Sequence, residues 1–308
     1  MERRREGTLW GVLLGLRTCY SVLRTRRCRS IRSNVPLEPT DHFLREIRVR
    51  PQGDVMRFPF SVPTIRTLEV MRLDAPVTFF VGENGSGKST LLEAIAMAAH
   101  LAAVGSADLK KDNSLDAQRY LSYTLKLVWS RHTARGFFLR AEDFFGFTKR
   151  MSAMRSEFQA QLAEIEATYA DRSAHAMALA TLPVRRSLAE MEEMYGADLD
   201  ANSHGQSFLK LFNSRFVPGG LYLLDEPEAP LSPQSQLALL AMMQDMIAQQ
   251  AQFIIATHSP MLLAYPGARI YSFDSAPIRE VAFEELDHVV LMREFLKAPE
   301  RYIRALLQ

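Results

Sequence analysis

The sequence predicts an α/β fold with a mainly parallel core sheet flanked by helices, and three stretches carry the prediction. Val77–Val81 is a short β-branched and aromatic run that leads into a glycine-rich turn and then into strong helix formers. Leu221–Leu224 is a second apolar run, closed by Asp225, Glu226 and Pro227, and Gln252–Thr257 is a third, closed by His258 and Ser259. Unbroken apolar strands of this kind are buried on both faces, as in a parallel sheet. The residues that follow them fall at the carboxyl edge, where open α/β sheets bind ligands.

Taken in order, residues 1–34 stand apart from the rest. They hold nine arginines against two glutamates, and both cysteines, Cys19 and Cys28. The stretch reads as a dispensable basic extension, disordered or the product of a start codon set too far upstream, ahead of a working domain over 35–308. The whole chain carries +2, so this extension leaves the body mildly acidic. That gives no compositional case for a nucleic-acid-binding face. A body without thiols has no disulfide and no cysteine metal site, and a reducing cytoplasm is its simplest home. No apolar run reaches the roughly 18 residues that suggest a membrane span.

Leu44–Arg50 alternates at period two before the turn cluster Pro51–Asp54, and Leu68–Leu73 is a further strand candidate. A small antiparallel β part is therefore expected ahead of the glycine-rich turn. Phe58 or Phe60 would stack on a base or, the commoner habit of such residues, fill the core.

Gly82-Glu83-Asn84-Gly85-Ser86-Gly87-Lys88-Ser89 has the G-x-x-x-x-G-K-S spacing of a phosphate-binding loop, with a strand before it and a helix from Thr90 after it. The glycines let backbone N–H groups turn inward onto phosphate oxygens, and the helix N-terminus adds a favourable field. Lys88 is placed to reach the β- and γ-phosphates, and the Ser89 hydroxyl to ligate Mg²⁺. A chance glycine-rich turn would lack this setting, so the chain is expected to bind a nucleoside triphosphate.

Leu91–Val104 is predicted as a buried helix, 105–116 as a loop, and Leu121–Trp129 as a strand. A strand from Gly136 runs into a turn near Gly146, with Arg140, Glu142 and Asp143 at its end. Residues 148–200 read as a helical insert, with one helix over Met151–Tyr169 and another over Val184–Tyr195 opened by Pro183. Ser203 and Gln206 have capping-box spacing ahead of an apolar-periodic helix. Gly205 in its first turn makes this N-terminus a second phosphate candidate.

Asp225 ends its strand where a P-loop ATPase holds Mg²⁺. Glu226, pointing differently, can orient or deprotonate the attacking water. Ser232 and Pro233 read as N-cap and first position of a helix to about Gln250. His258 reads as functional from its place after a neighbouring strand, whereas the other histidines show no metal-ligand spacing and read as structural. Arg269–Asp274 is a late strand, and two helices, 288–297 and 299–307, follow.

Gly82–Thr90, Ser203–Ser207, Leu221–Glu226 and Thr257–Ser259, in that order, make the chain over about 40–308 similar to the ATP-binding cassette ATPases. The closer likeness is to their transporter-free branch of AAA-type ATPases related to RecF and SMC-like proteins. The resemblance implies a Walker A at Gly82–Thr90, a Walker B at Leu221–Asp225, Glu226 as catalytic glutamate and His258 as the histidine that senses the γ-phosphate. It also implies that Asn202–Gln206 stands for the signature motif, with Ser203 and Gly205 contacting ATP held by a second copy, hence a homodimer with two sandwiched ATPs. Three departures follow. His204 replaces the usual first glycine of the signature, Ala229-Pro-Leu-Ser lacks the coupling Asp, and Glu142 is the positional stand-in for a metal- or water-contacting glutamine. The insert is too short for DNA-bridging arms.

The leading expectation is an Mg²⁺-dependent, cytoplasmic ATPase. The alternative is an ATP-gated switch with little turnover acting on a protein or DNA partner.

Overall fold

The computed structural model describes residues 43–50, 56–104, 115–195 and 204–307. The 1–34 extension, the Pro51–Asp54 turn, most of the 105–116 loop, and Ser203 with its cap to Gln206 lie outside the described residues. Among the described residues, no helix is long and apolar enough to cross a membrane. The chain divides into two compact units, one of 41–150, 217–229 and 246–308, the other including 151–216 and 230–245.

The first unit is built on two sheets. Strands β1 (Leu44–Val49), β2 (Val70–Arg72) and β5 (Leu125–Trp129) form an antiparallel sheet in the order β2-β1-β5. The second sheet has seven strands: β3 (Val77–Val81), β4 (Ala102–Ala103), β6 (Gly136–Arg140), β7 (Leu221–Asp225), β8 (Gln252–Ala256), β9 (Arg269–Ser272) and β10 (Arg279–Glu280). Its order is β10-β9-β3-β8-β7-β6-β4, parallel throughout except for the β9–β10 hairpin. Every residue of β3, β7 and β8 is buried, as expected of central parallel strands. Gly136 takes a left-handed φ of 122°, and a Cβ there would lie 1.8 Å from the Leu221 carbonyl oxygen. Only glycine lets β6 come this close to β7.

Helix α1 (Pro63–Arg66) precedes β2, and α2 (Lys88–Ala98) follows the glycine-rich turn. Leu91, Leu92, Ala94, Ile95 and Ala96 of α2 are fully buried in a core shared with Ile47, Leu73, Phe80, Phe138, Leu223 and Ile254. Each such leucine, isoleucine or phenylalanine side chain contributes about 1.5–3 kcal/mol by leaving water. The predicted helix to Val104 stops earlier. His100 turns left-handed (φ 56°), and 102–103 join the sheet edge as β4.

Residues 121–124, predicted as strand, are the end of helix α3 (Asp116–Thr124). Leu121 fills the core, and the Thr124 hydroxyl donates to the Leu121 carbonyl, closing the last turn before β5. Phe58 is 45% exposed, while Phe60 is buried edge-on against Tyr120, so Phe60 takes the core role. Helix α7 (Pro233–Ile247) ends before Gln250, which turns left-handed. The Ser232 hydroxyl accepts the Ser235 N–H, so the predicted cap forms. Helix α8 (Pro260–Leu263) follows His258, and α9 (Asp287–Lys297) and α10 (Pro299–Leu306) follow the last strand.

The second unit holds most of α4 (Ala141–Thr168), α5 (Ala174–Tyr195), α6 (His204–Arg215) and most of α7. Both insert helices are longer than predicted. Helix α4 begins directly after β6, with Glu142 and Asp143 in its first turn, where acids are favoured. Helix α5 runs through Pro183. Its true start is marked by Ser173, whose hydroxyl accepts the Ala176 N–H, and Pro183 lies ten residues further on, inside the helix. The pairs Arg155–Glu192 and Arg185–Glu166 link α4 and α5 as antiparallel neighbours. Such exposed pairs add at most about 1 kcal/mol each. On α6, Phe208, Leu211 and Phe212 bury one face at helical spacing.

Candidate functional site

All central strands being parallel, their carboxyl ends lie together. Phe80 and Asp225 are each registered against Ala256, Val81 against Ser272, and Arg140 against Asp225. The loops that leave these strands bring together Gly82–Ser89, Asp225–Glu228, Thr257–His258 and Asp274 from four separate stretches of sequence.

The glycine-rich turn is held from three sides. The Asp274 carboxylate accepts the Glu83 N–H at 2.9 Å and the Ser272 hydroxyl, fastening the start of the loop to the end of β9. The Thr64 hydroxyl of α1 donates to the Ser86 carbonyl at 2.5 Å. Gly87 caps α2 in a left-handed conformation (φ 99°), and a Cβ there would press on Ile65, Thr64 and Val62 at 3.1–3.2 Å. The loop is thus shaped by its packing as well as by its glycines.

Lys88 is buried, and its ammonium donates to the Gly82 and Glu83 carbonyls at 2.5 and 2.9 Å. Burial lowers its pKa, while Glu226, Asp225, Asp274 and Glu228 pull it back up.

The Ser89 hydroxyl donates to Asp225 Oδ1 at 3.1 Å across 136 residues of sequence. Asp225 is only 8% exposed, and burial pushes its carboxyl up to about 6, against the opposing effect of Ser89. A buried carboxylate beside a hydroxyl is an all-oxygen donor pair that fits a hard divalent cation such as Mg²⁺. Among the described residues, no group of three or more His, Cys, Asp or Glu could hold a metal ion. A cation here would therefore draw its other ligands from phosphate and water.

Glu226 follows with a left-handed backbone (φ 49°), a strained state for a non-glycine residue of the kind that concentrates at functional sites. Its N–H is bound to the Ala256 carbonyl at 2.8 Å. Glu226 and His258 line an open cleft of about 500 Å³ together with Glu83 and Asn84. The Glu228 carboxylate accepts the His258 backbone N–H at 2.7 Å. His288 of α9 interacts with His258, and its pKa is lowered by burial first and by His258 second.

Gly82 to Ser89, Asp225, Glu226 and His258 are thus gathered at one edge, as their motifs imply, and Thr90 lies in the first turn of α2. Glu142 is 77% exposed and sits 3.6 Å from Arg140, whose guanidinium also pairs with buried Glu93 at 2.8 Å. Arg140 is therefore the neighbour the structure gives Glu142. Gly205 is buried in the second unit, where a Cβ would lie 3.2 Å from the Pro230 carbonyl oxygen and the Ser235 hydroxyl.

Glu228, Asp274, Thr64 and Glu93 were not singled out from the sequence. Glu228 and Asp274 each follow a strand of the parallel sheet, a position that could have flagged them. Thr64 and Glu93 act through packing that leaves no local pattern.

Residues 60–124 match a family model described as an AAA domain. No curated protein matches the chain. Among solved structures, the chain is similar to the SMC head domain bound to the C-terminal domain of ScpA from Pyrococcus furiosus. That match has 11% identity and TM-score 0.41 over 83% of this chain and 99% of the other. It is also similar to the ADP conformation of an ATP-binding cassette of an ABC transporter, with 16% identity and TM-score 0.43 over 86% of this chain and 99% of the other. A nucleotide-free cassette from an ABC transporter matches at 15% identity and TM-score 0.44, over 84% and 98%.

Proposed function

We propose that the protein binds and hydrolyses ATP in the manner of an ATP-binding cassette ATPase, with Glu226 as the general base. The observation that carries this reading is the Ser89–Asp225 hydrogen bond, with Glu226 adjoining it in the cleft shared with His258. On binding, Lys88 exchanges its two carbonyl partners for β- and γ-phosphate oxygens, and the N–H groups from Gly82 to Thr90 receive the remaining phosphate charge. Ser89 and Asp225 would hold Mg²⁺, which when bound would supply charge neutralisation to the phosphates. Glu226 orients a water in line with the γ-phosphorus and takes its proton, and His258 faces the γ-phosphate. Positioning and charge compensation account for most of the acceleration in phosphoryl transfer.

In this reading Ser203, Gly205 and Gln206 complete the site of a second copy, making the active form an ATP-sandwiched homodimer. The test is steady-state hydrolysis as a function of protein concentration, with size-exclusion runs of wild type and Glu226→Gln in ATP. Turnover rising more steeply than linearly, with Glu226→Gln trapped as an ATP-bound dimer, supports the composite site. Tight ATP binding with negligible turnover and no dimer would replace the ATPase with an ATP-gated switch acting on a protein or DNA partner.

A further inference from the structure

The two loops that carry Glu226 and His258 are joined at two points. One is a backbone link, from the Glu226 N–H to the Ala256 carbonyl at 2.8 Å. The other depends on a side chain, Glu228 Oε1 accepting the His258 N–H at 2.7 Å. Between these links lies Glu226 in its left-handed conformation, and the turn is closed by the Ala229 N–H on the Glu226 carbonyl at 3.1 Å. The Glu228 carboxylate therefore ties the start of the His258 loop to the Glu226 turn.

A carboxylate is a costly choice for capping one N–H. Glu228 is half-buried, and its second oxygen, Oε2, is buried with no hydrogen-bond partner. A neutral acceptor would satisfy the same N–H without desolvating a charge. What the charge adds is a stronger bond to the amide.

We infer that Glu228 is a positioning residue that locks the His258 loop to the Glu226 turn, so that the water-orienting carboxylate and the γ-phosphate-facing histidine share one register. The inference rests on the ATPase reading for its consequence, while the lock itself is a property of the nucleotide-free protein. Misplacing a reacting group by about 1 Å costs up to roughly a hundredfold in rate. Loss of the lock should therefore appear in kcat, with ATP affinity spared, because the phosphate-binding N–H groups and Lys88 lie on another loop.

The experiment compares the full chain with Glu228→Ala and Glu228→Gln. It measures ATP turnover, affinity for a fluorescent ATP analogue, and hydrogen exchange of the peptide spanning His258 without nucleotide. Glu228→Ala should lower kcat about ten- to a hundredfold with affinity changed less than about threefold. It should also speed exchange at His258. Glu228→Gln keeps an acceptor oxygen and should recover turnover to within about threefold of wild type, with exchange protection restored. Wild-type turnover in Glu228→Ala, or a Glu228→Gln variant as slow as Glu228→Ala, overturns the inference. Should the wild type bind ATP without turning it over, the ATPase reading fails on its own and exchange decides the lock. Faster exchange in Glu228→Ala then upholds it, and unchanged exchange overturns it.

Discussion

The two edges of the seven-stranded sheet treat buried polar groups in opposite ways. At the amino end of β8, Gln252 is fully buried, and its side chain accepts the Leu44 N–H at 2.9 Å and donates to the Leu44 and Leu73 carbonyls at 2.9 and 2.6 Å. One amide thereby ties the antiparallel strands to the parallel sheet, with its donors and acceptor satisfied. At the carboxyl end, the Asp225 carboxyl is pushed up to about 6 by burial, Glu228 Oε2 is buried without a hydrogen-bond partner, and Lys88 is buried with its ammonium on two backbone carbonyls. A satisfied polar network stabilises and specifies a core, whereas an underpaired one is poised for something that arrives from solution. The amino edge is built to hold the fold together, and the carboxyl edge to receive charge.

That contrast predicts different failures at the two edges. The largest effect is expected at Glu226. Glu226→Gln should lower kcat by about 10²–10⁴-fold, the range for a general base, without loss of thermal stability, as read by steady-state turnover and a melting curve. At the other edge, Gln252→Leu strands the Leu44 N–H and the Leu44 and Leu73 carbonyls in the core. At about 1–3 kcal/mol for each unsatisfied group, the unfolding transition should fall by roughly 5–15 °C, with the folded fraction keeping its ATP affinity. Equal damage to affinity and stability from this change would dissolve the distinction between the edges.

Glu93 lies beneath the carboxyl edge, paired with Arg140 and pushed up to about 7, chiefly by burial. Its folded pKa stands above its unfolded value, so the folded state binds the proton more tightly. The associated stability is present below about pH 4.5 and is lost as pH rises through about 7. Thermal melts from pH 5 to 8 should show a loss of the order of 1–3 kcal/mol that Glu93→Gln flattens. The smallest effect is expected at Thr64. Thr64→Val removes the hydroxyl that holds the Ser86 carbonyl and should weaken ATP binding about three- to tenfold in an equilibrium titration, with Thr64→Ser restoring it.

Much of this molecule is legible from local pattern. The strand–turn–helix at Val77–Ala98, the apolar strands ending in Asp225 and at Ala256, and the Ser232 cap are written in runs of a few residues whose physics is local. The misread stretches are those where local preference competes with burial or with a neighbouring turn. Residues 121–124 look extended but complete α3 because Leu121 reaches the core. Pro183 looks like a helix start but lies within α5 because Ser173 caps the chain ten residues earlier in an Ala-rich turn.

By itself, the sequence determined the chemistry on offer: a phosphate-binding loop, a strand-end Asp–Glu pair, and a histidine at the end of another strand. It did so because each depends on spacing along a single strand or turn. Only the tertiary structure decided that Ser89 and Asp225 meet at 3.1 Å, that Asp274 and Thr64 brace the loop, that Arg140 pairs with Glu142, and that Glu228 holds the His258 backbone. Those contacts join residues brought together by parallel strand register and the packing of α1 and α2. Register and packing are set by the burial of the whole sheet, which no short window of sequence contains.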